Sequence, residues 1–263
     1  MKISAIWLAP LLAFPLARAV SAQTLAYAPG TSRYRITSVA KQSQTVQGQT
    51  QEAEVTTNQR VTVNIVSRAK DTLQYTITLD SVKVITTAPI PTGDQTKLMG
   101  LKFTGAMSPH GKFFSSTPSD TSAEVASAID GMQRFLIPFS GSPKVGSSWV
   151  DTVSSKVTRQ GVDVSTQAIS TYKLTGDTTV AGQKAWRVQR NTAIALSGSG
   201  SSQGQPITLE GTGTSTGAFF VSDKGQYLAS NNEQNVDLKI GVPAAGMEIP
   251  QTVRTTTKVE ILK

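Results

Sequence analysis

Residues 61–80, VTVNIVSRAKDTLQYTITLD, decide the fold class of this chain. Apolar and polar side chains alternate in two runs, residues 61–65 and residues 73–79. A period of two residues puts all the apolar side chains of a β-strand on one face. The small and charged residues 67–71 (SRAKD) separate the runs as a turn does. The stretch therefore predicts an antiparallel hairpin with one buried face.

The alternation changes parity after Leu79, because the next apolar residues, Val82 and Val84, are even-numbered. One extra residue in a strand has this effect, so we predict a β-bulge near Ser81 that curves the sheet. Similar short runs occur at residues 34–39, 102–104, 112–115, 171–174, 185–190, 207–212, 217–221, 227–236 and 253–261. These runs predict a mainly β protein of curved antiparallel sheets, with a half-barrel or sandwich-like layout.

Turn-forming residues lie between the predicted strands. Residues 108–111 (SPHG), 180–183 (VAGQ) and 223–225 (DKG) have the composition of tight turns. Residues 89–93 (PIPTG) and 197–205 (SGSGSSQGQ) are rich in Pro, Gly and Ser, so we predict that both are exposed loops within one domain.

One segment has a helical period instead. Thr121 and Glu124 have the spacing of a capping box. Apolar residues then recur every three or four positions, at Val125, Ala128, Ile129, Met132 and Leu136. This pattern predicts an amphipathic helix over residues 121–136, which Pro138 would end. We expect its apolar stripe to cover one open face of the sheet.

Residues 1–22 have the features of a secretory signal peptide. Lys2 is followed by a short apolar core at residues 5–17 and by small residues before a cleavage site between Ala22 and Gln23. We expect residues 23–263 to form one exported β-rich domain with no transmembrane segment. The sequence is compatible with a periplasmic or an extracellular location.

The charge of the chain is basic but evenly spread. The full sequence carries a net charge of +8, and loss of Lys2 and Arg18 with the signal peptide lowers it to +6. The basic residues occur singly and without interleaved aromatic residues, so we predict no nucleic-acid binding. Cysteine is absent, which excludes disulfides and thiolate sites.

Few residues could support catalysis. His110 is the only histidine, and we predict it at the solvated tip of a turn. Asp151, beside Trp149, is the carboxylate to examine first, although its position predicts an exposed strand residue. Residues 211–217 (GTGTSTG) lack the lysine of a phosphate-binding loop and are predicted to be a strand of small side chains. We therefore predict no enzymatic activity, no cofactor and no metal site.

The aromatic residues on predicted strands normally fill a core. The adjacent rings of Phe113 and Phe114, like those of Phe219 and Phe220, must lie on opposite faces of a strand. We therefore expect the second face to be covered by the helix, by the other half of the chain or by a ligand.

The two parts of the chain, residues 33–118 and 143–263, are related in pattern. Residues 102–114 are similar to residues 216–228: each has a strand with Gly-Ala, a turn with Gly and an aromatic strand. The pattern is consistent with duplication of one β-meander on either side of the helix. It is equally consistent with hairpins that share only their turn chemistry.

Four segments carry a family resemblance: residues 143–149 (PKVGSSW), 172–174, 180–188 (VAGQKAWRV) and 217–228. They resemble secreted bacterial families of unknown function with the phrases P-x-V-x-G-x-x-W and V-x-G-x-x-A. Such proteins are similar in layout to the lipoprotein-carrier group, in which helices partly close a curved antiparallel sheet that holds acyl chains. The resemblance implies an apolar concavity.

Three functions are compatible with these observations. The first is a non-enzymatic envelope protein that binds an apolar or amphipathic, lipid-like ligand in a continuous pocket. The second is a structural or protein-interaction module of the cell envelope, with a filled core and an envelope protein as partner. An outer-membrane barrel is the third, and it is disfavoured by the amphipathic helix and by the terminal residues 260–263 (EILK).

Overall fold

The computed structural model describes residues 25–46, 48–69, 71–88, 95–122, 125–133, 135–141, 143–159, 161–202 and 204–263. The predicted signal peptide, the cleavage site between Ala22 and Gln23, and the predicted loop at residues 89–93 lie outside the described residues. The described strands are β1 (Gly30–Val46), β2 (Gln49–Ala69), β3 (Thr72–Thr86), β4 (Lys102–Met107), β5 (Phe113–Pro118), β6 (Ser148–Arg159), β7 (Val162–Val180), β8 (Gln183–Ser202), β9 (Gln205–Ser222), β10 (Tyr227–Val242) and β11 (Met247–Leu262). The helices are α1 (Ala126–Gln133) and two short 3₁₀ helices, Gln95–Leu98 and Pro243–Ala245.

The described strands form one antiparallel sheet of eleven strands, in the order β5-β4-β3-β2-β1-β11-β10-β9-β8-β7-β6. The chain starts at the centre of the sheet and meanders to the β5 edge. It then crosses through α1 to the opposite edge at β6 and meanders back until β11 pairs with β1. The prediction of a mainly β, half-barrel-like fold is confirmed, and a single curved sheet replaces the sandwich alternative.

The hairpin predicted from residues 61–80 is present as β2 and β3, and it contains the predicted bulge. Arg60 pairs with Ser81 and Val61 pairs with Leu79, so Asp80 is the extra residue. The Thr62 hydroxyl donates a hydrogen bond of 2.7 Å to a carboxylate oxygen of Asp80. This bond fixes the bulged residue on the outer face.

The tight turns also form as predicted. Between β7 and β8, Ala181 and Gly182 both have positive φ, 51° and 79°. Two successive residues with positive φ are the mark of a type I′ hairpin turn, whose twist matches that of the strands.

Residues 197–205 are not the loop that their composition predicts. Strand β8 continues to Ser202 and β9 begins at Gln205, and these two residues pair with each other. Neighbouring strands supply hydrogen bonds that local propensity does not include. The two runs predicted at residues 207–212 and 217–221 are likewise one strand, β9.

Helix α1 covers only Ala126–Gln133, so the prediction of residues 121–136 was too long. The Phe135 N–H donates to the carbonyl oxygen of Met132, three residues back, at 3.2 Å, so the hydrogen bonds of the α-helix have ended before Phe135. Before the helix, the backbone N–H of Ser122 donates to a carboxylate oxygen of Asp120 at 2.7 Å. Glu124, the second half of the predicted capping box, lies outside the described residues.

The apolar stripe of this segment packs on the concave face of the sheet, as predicted. Val125, Met132 and Leu136 are buried in the main hydrophobic core. Helix α1 contacts both β4 and β6, which lie near opposite edges of the sheet. The helix therefore bridges the two sides of the curve.

The segment before β1 is also part of the core, because Leu25 and Tyr27 are both buried. The backbone N–H of Tyr27 donates to the Pro109 carbonyl oxygen at 2.7 Å, and that of Ala28 donates to the Gly225 carbonyl oxygen at 3.2 Å. This segment therefore joins the turn after β4 to the turn after β9.

These two turns have the same hydrogen bonds. The hydroxyl of Ser108 accepts from the N–H of Lys112 at 3.1 Å, and that of Ser222 accepts from the N–H of Gln226 at 2.9 Å. Shared turn chemistry and duplication both account for this agreement, so the relation between residues 33–118 and 143–263 stays a prediction.

Candidate functional site

A cavity of about 830 Å³ lies between the concave face of the sheet, helix α1 and residues 135–138. All eleven strands contribute residues to its lining. Strands lie about 4.8 Å apart, so a flat sheet of this size would be about 48 Å wide and could not surround one cavity. The shared lining therefore reflects strong curvature, and the volume falls in the range of small-molecule pockets.

One wall of the cavity is mainly apolar. It is formed by β1 to β4 and includes Ile36, Val61, Ile77, Leu79 and Phe103. The part of the chain between β5 and β6, here called the crossing segment, also contributes Met132 and Leu136 to the lining. Except for the half-buried Ile36, these side chains are almost completely covered by the chain itself. Contact with an alkyl chain or a ring system therefore requires movement of the segment that packs on them.

The opposite wall, on β6 to β10, carries most of the polar lining. The hydroxyls of Ser170 and Thr192 lie 2.9 Å apart and form a hydrogen bond. The Ser215 hydroxyl donates to the Asn232 side-chain carbonyl oxygen at 2.7 Å. Ser170, Thr192 and Ser215 are buried, so these polar groups are part of the cavity and not of the outer surface.

Arg190 is the cation of this wall. Its Nη2 donates to the side-chain carbonyl oxygen of Asn232 at 2.7 Å, and its guanidinium lies over the Phe219 ring, 4.8 Å from the centroid. In the sheet, Gly217 lies between Arg190 and Asn232. The missing side chain at Gly217 lets the two side chains meet across β9, since a Cβ there would lie 3.0 Å from the Asn232 side-chain oxygen.

Asp151 is half-buried and lines the cavity, so the prediction of an exposed strand residue was wrong. Its neighbour Trp149 stacks on Tyr172 with 5.5 Å between ring centroids, and the Trp149 indole N–H donates to the Pro138 carbonyl oxygen at 2.9 Å. The alternation of β6 puts Trp149 and Asp151 on the same face. Asp151 is the only carboxylate among the described lining residues, so these residues provide no acid/base pair.

His110 is half-buried instead of solvated at the turn tip. Its Nδ1 donates to the Leu25 carbonyl oxygen at 2.9 Å. The carbonyl oxygen of His110 accepts the Phe139 N–H at 2.6 Å. This histidine therefore connects the first described segment to the segment after α1.

The two adjacent aromatic pairs differ in burial. Phe219 is buried and Phe113 packs against the core, whereas Phe114 is 56% exposed on the outer face. The expectation that the second face is covered was wrong at Phe114, within the part of the chain that the structure describes. Phe220, the second ring of the other pair, is half-buried.

The described residues were also examined for metal-ligand clusters and for membrane-spanning helices. They contain no group of three or more His, Cys, Asp or Glu side chains that could hold a metal ion. None of their helices combines the length and the apolar character required to cross a bilayer.

Sequence reasoning did not single out Arg190 as a site residue, although the signal was available. Trp186 and Val188 are buried even-numbered residues of β8. A period of two residues therefore puts Arg190 on the same concave face. A charged residue at a position where the alternation predicts an apolar one therefore indicates a candidate site residue.

Three buried tyrosines beside the cavity predict a loss of stability at high pH. Burial raises the pKa of Tyr34 to about 12 and also raises the pKa values of Tyr27 and Tyr227. Because an unfolded tyrosine ionises near pH 10, the stabilisation from Tyr34 is complete below pH 10 and is lost between pH 10 and about 12. For Tyr34 alone we expect a loss of ~2–3 kcal/mol in the free energy of unfolding.

Urea unfolding measured from pH 8 to 12 checks this expectation. The matched variant Tyr34→Phe should show a shallower decline, because it has one ionisable group fewer. An identical decline in both proteins would exclude Tyr34 as a contributor.

Comparison with known proteins identifies no family for this chain. No model of a known protein family matches the sequence. The search of curated proteins also finds no match. Among solved structures, the chain matches a DUF1329 family protein from Desulfovibrio piger with 9% identity, over 88% of this chain and 85% of that chain, with a TM-score of 0.15. A match at this TM-score carries no argument, and the proposals below rest on the geometry of the cavity.

Proposed function

We propose that this chain is a non-enzymatic binding protein of the bacterial envelope that holds an apolar or amphipathic, lipid-like ligand beneath α1. The observation that carries the proposal is the 830 Å³ cavity with one mainly apolar wall. The cavity is half-open, and exposing its apolar wall to water costs free energy. Ligand binding offsets that cost by burying apolar surface of both partners.

The position of α1 supports this proposal. The helix is short and is held to the sheet by a few side chains, among them Met132, which also lines the cavity. Short elements with few buried contacts open locally at low free-energy cost. Movement of this helix would give a ligand access to the cavity.

The proposal includes export. The signal-peptide features of residues 1–22 support secretion to the periplasm or the medium. Amino-terminal sequencing of the protein recovered from a bacterial host's periplasm should start at Gln23. An intact amino terminus on protein recovered from the cytoplasm would contradict export.

A tryptophan in the cavity tests ligand binding. Thr57 lines the cavity, whereas Thr56, its neighbour on β2, faces the outer side. For Thr57→Trp we expect about a tenfold weaker Kd for N-phenyl-1-naphthylamine, a neutral apolar fluorophore, because the indole occupies its space. Fluorescence titration of residues 23–263 measures this Kd.

The matched control is Thr56→Trp, which adds the same side chain on the outer face and should leave the Kd unchanged. Thermal unfolding of both variants verifies that they fold. Absence of fluorophore binding to the unaltered protein, with no lipid in its organic extract by mass spectrometry, would contradict the proposed function.

A second candidate is a protein-interaction module, and the free edge of β6 favours it. In the described sheet, β6 (Ser148–Arg159) pairs with β7 only, which leaves one side of a twelve-residue strand open. An open edge can accept a strand from another protein. An empty organic extract from a stably folded protein would favour this candidate over ligand binding.

A further inference from the structure

The charge of the cavity points to one class of amphipathic ligand. Among the described lining residues, Lys112 and Arg190 are cationic and Asp151 is anionic, which leaves an excess of one positive charge. Lys112 is exposed, whereas Arg190 is half-buried in the polar wall. Arg190 is therefore the cation that a ligand inside the cavity would meet.

The guanidinium of Arg190 has donors to spare. An arginine side chain carries five N–H donors. Nη2 is bonded to Asn232, and Nε is buried without a hydrogen-bond partner among the described residues. No described carboxylate forms an ion pair with Arg190. A half-buried cation with free donors favours an anion that can accept two parallel hydrogen bonds.

The surroundings of Arg190 hold it in place for such an anion. Phe219 supports one face of the guanidinium, and Asn232, itself bonded to the Ser215 hydroxyl, restrains one end. The hydroxyls of Ser170 and Thr192 lie one row further along the same wall. One of the two donates to the other, so one hydroxyl proton of the pair is left to bond an oxygen of an anionic group.

Asp151 does not neutralise this position. It lies on β6, two strands from β8, and it pairs with Ser170, one row away from Arg190. At about 4.8 Å between strands, the two backbones are about 10 Å apart across the sheet. The Arg190 side of the polar wall therefore favours negative charge, and the Asp151 side disfavours it.

We propose that the ligand is an anionic amphiphile whose carboxylate or phosphate headgroup binds Arg190 and whose apolar tail lies against the β1 to β4 wall. This inference rests on the proposed function, because it requires that the cavity holds a ligand. Beyond the proposed function, the inference specifies the charge of the ligand headgroup, the residue that binds the headgroup and the wall against which the tail lies.

Three twelve-carbon probes that differ in headgroup test the inference. Dodecanoate, dodecanol and dodecyltrimethylammonium are each titrated against residues 23–263 loaded with N-phenyl-1-naphthylamine. We expect dodecanoate to displace the fluorophore at about a tenfold lower concentration than the other two, because its charge-assisted hydrogen bonds form in a partly desolvated site. Dodecyl phosphate in parallel distinguishes a phosphate headgroup from a carboxylate.

Variants assign the preference to Arg190. Arg190→Gln should weaken dodecanoate binding about tenfold and change dodecanol binding much less, since dodecanol has no charge. The matched control is Arg187→Gln, because Arg187 is exposed on the outer face of the same strand. This control should bind dodecanoate as the unaltered protein does.

A second variant keeps Arg190 but neutralises its positive charge with a neighbouring carboxylate. Asn232→Asp retains the size of the side chain and its acceptor for Arg190 and Ser215, but its carboxylate pairs with the guanidinium. It should also lose the preference for dodecanoate, and it decides the matter if Arg190→Gln does not fold. Asp151→Asn should strengthen dodecanoate binding, because it removes a repelling charge.

The outcomes separate the two proposals. If the fluorophore binds but dodecanoate and dodecanol displace it equally, or if the Arg190→Gln and Asn232→Asp proteins keep the preference, the headgroup inference is overturned and the proposed function stands. If neither the fluorophore nor any twelve-carbon probe binds, the proposed function itself fails.

Discussion

Replacing Phe135 with alanine is expected to lower the free energy of unfolding by about 3–5 kcal/mol. The Phe135 ring lies in the core after α1 and makes edge contacts with Tyr34 and Tyr227, with centroids 5.1 and 5.3 Å apart. The smaller side chain leaves a hole next to an existing cavity and loses both contacts. Because Phe135 anchors the crossing segment, we also expect α1 to detach more easily from the sheet.

Urea unfolding followed by tryptophan fluorescence measures this loss. Phe114→Ala is the matched control, because its ring is exposed on the outer face, and its effect should stay within about 0.5 kcal/mol. A loss below about 1 kcal/mol for Phe135→Ala would mean that this segment does not pack on the sheet in solution.

Replacing Tyr27 with alanine should have a comparable effect, about 3–5 kcal/mol, from the opposite side of the core. The Tyr27 hydroxyl donates to the Ile137 carbonyl oxygen at 3.1 Å and accepts the Ile137 N–H at 3.0 Å. Its ring also contacts Phe139, with 5.0 Å between centroids. Tyr27 therefore holds the crossing segment at Ile137, which itself lines the cavity.

The variant Tyr27→Phe separates the ring from the hydroxyl. It keeps the packing but leaves the N–H and the carbonyl of Ile137 without their partner, so we expect a loss of about 1–3 kcal/mol. The same urea experiment measures both variants. Equal losses for the two would show that the hydroxyl bonds account for the whole effect, contrary to our expectation that the ring contributes the larger share.

The local parts of the fold follow from the sequence. The bulge at Asp80 was predicted because the apolar positions change parity between Leu79 and Val82, and one extra residue in a strand produces that change. The turn at Ala181 and Gly182 was predicted because turn residues act through their own backbone preferences. Each of these signals needs only neighbouring residues.

The features that were missed depend on distant parts of the chain. Residues 197–205 form strand because β7 and β9 lie on either side of them. The pairing of β1 with β11 could not be predicted either, since many Thr-rich strands of similar pattern are compatible with several orders. The contact between Arg190 and Asn232 was missed for a related reason, because the two meet only where the sheet places Gly217 between them. The position of Arg190 on the concave face, in contrast, follows from the local alternation of β8.

The central ladder of the sheet has a consequence for how the chain folds. Strand β1 pairs along its length with β11, so that Arg33 lies opposite Leu262. A contact between such distant residues carries a large loop-closure entropy, and folds dominated by such contacts form slowly. Until the last strand is available, β1 has one open edge and the curve cannot close around its cavity. This order of events favours closure of the curved sheet as a late step, once β11 is available.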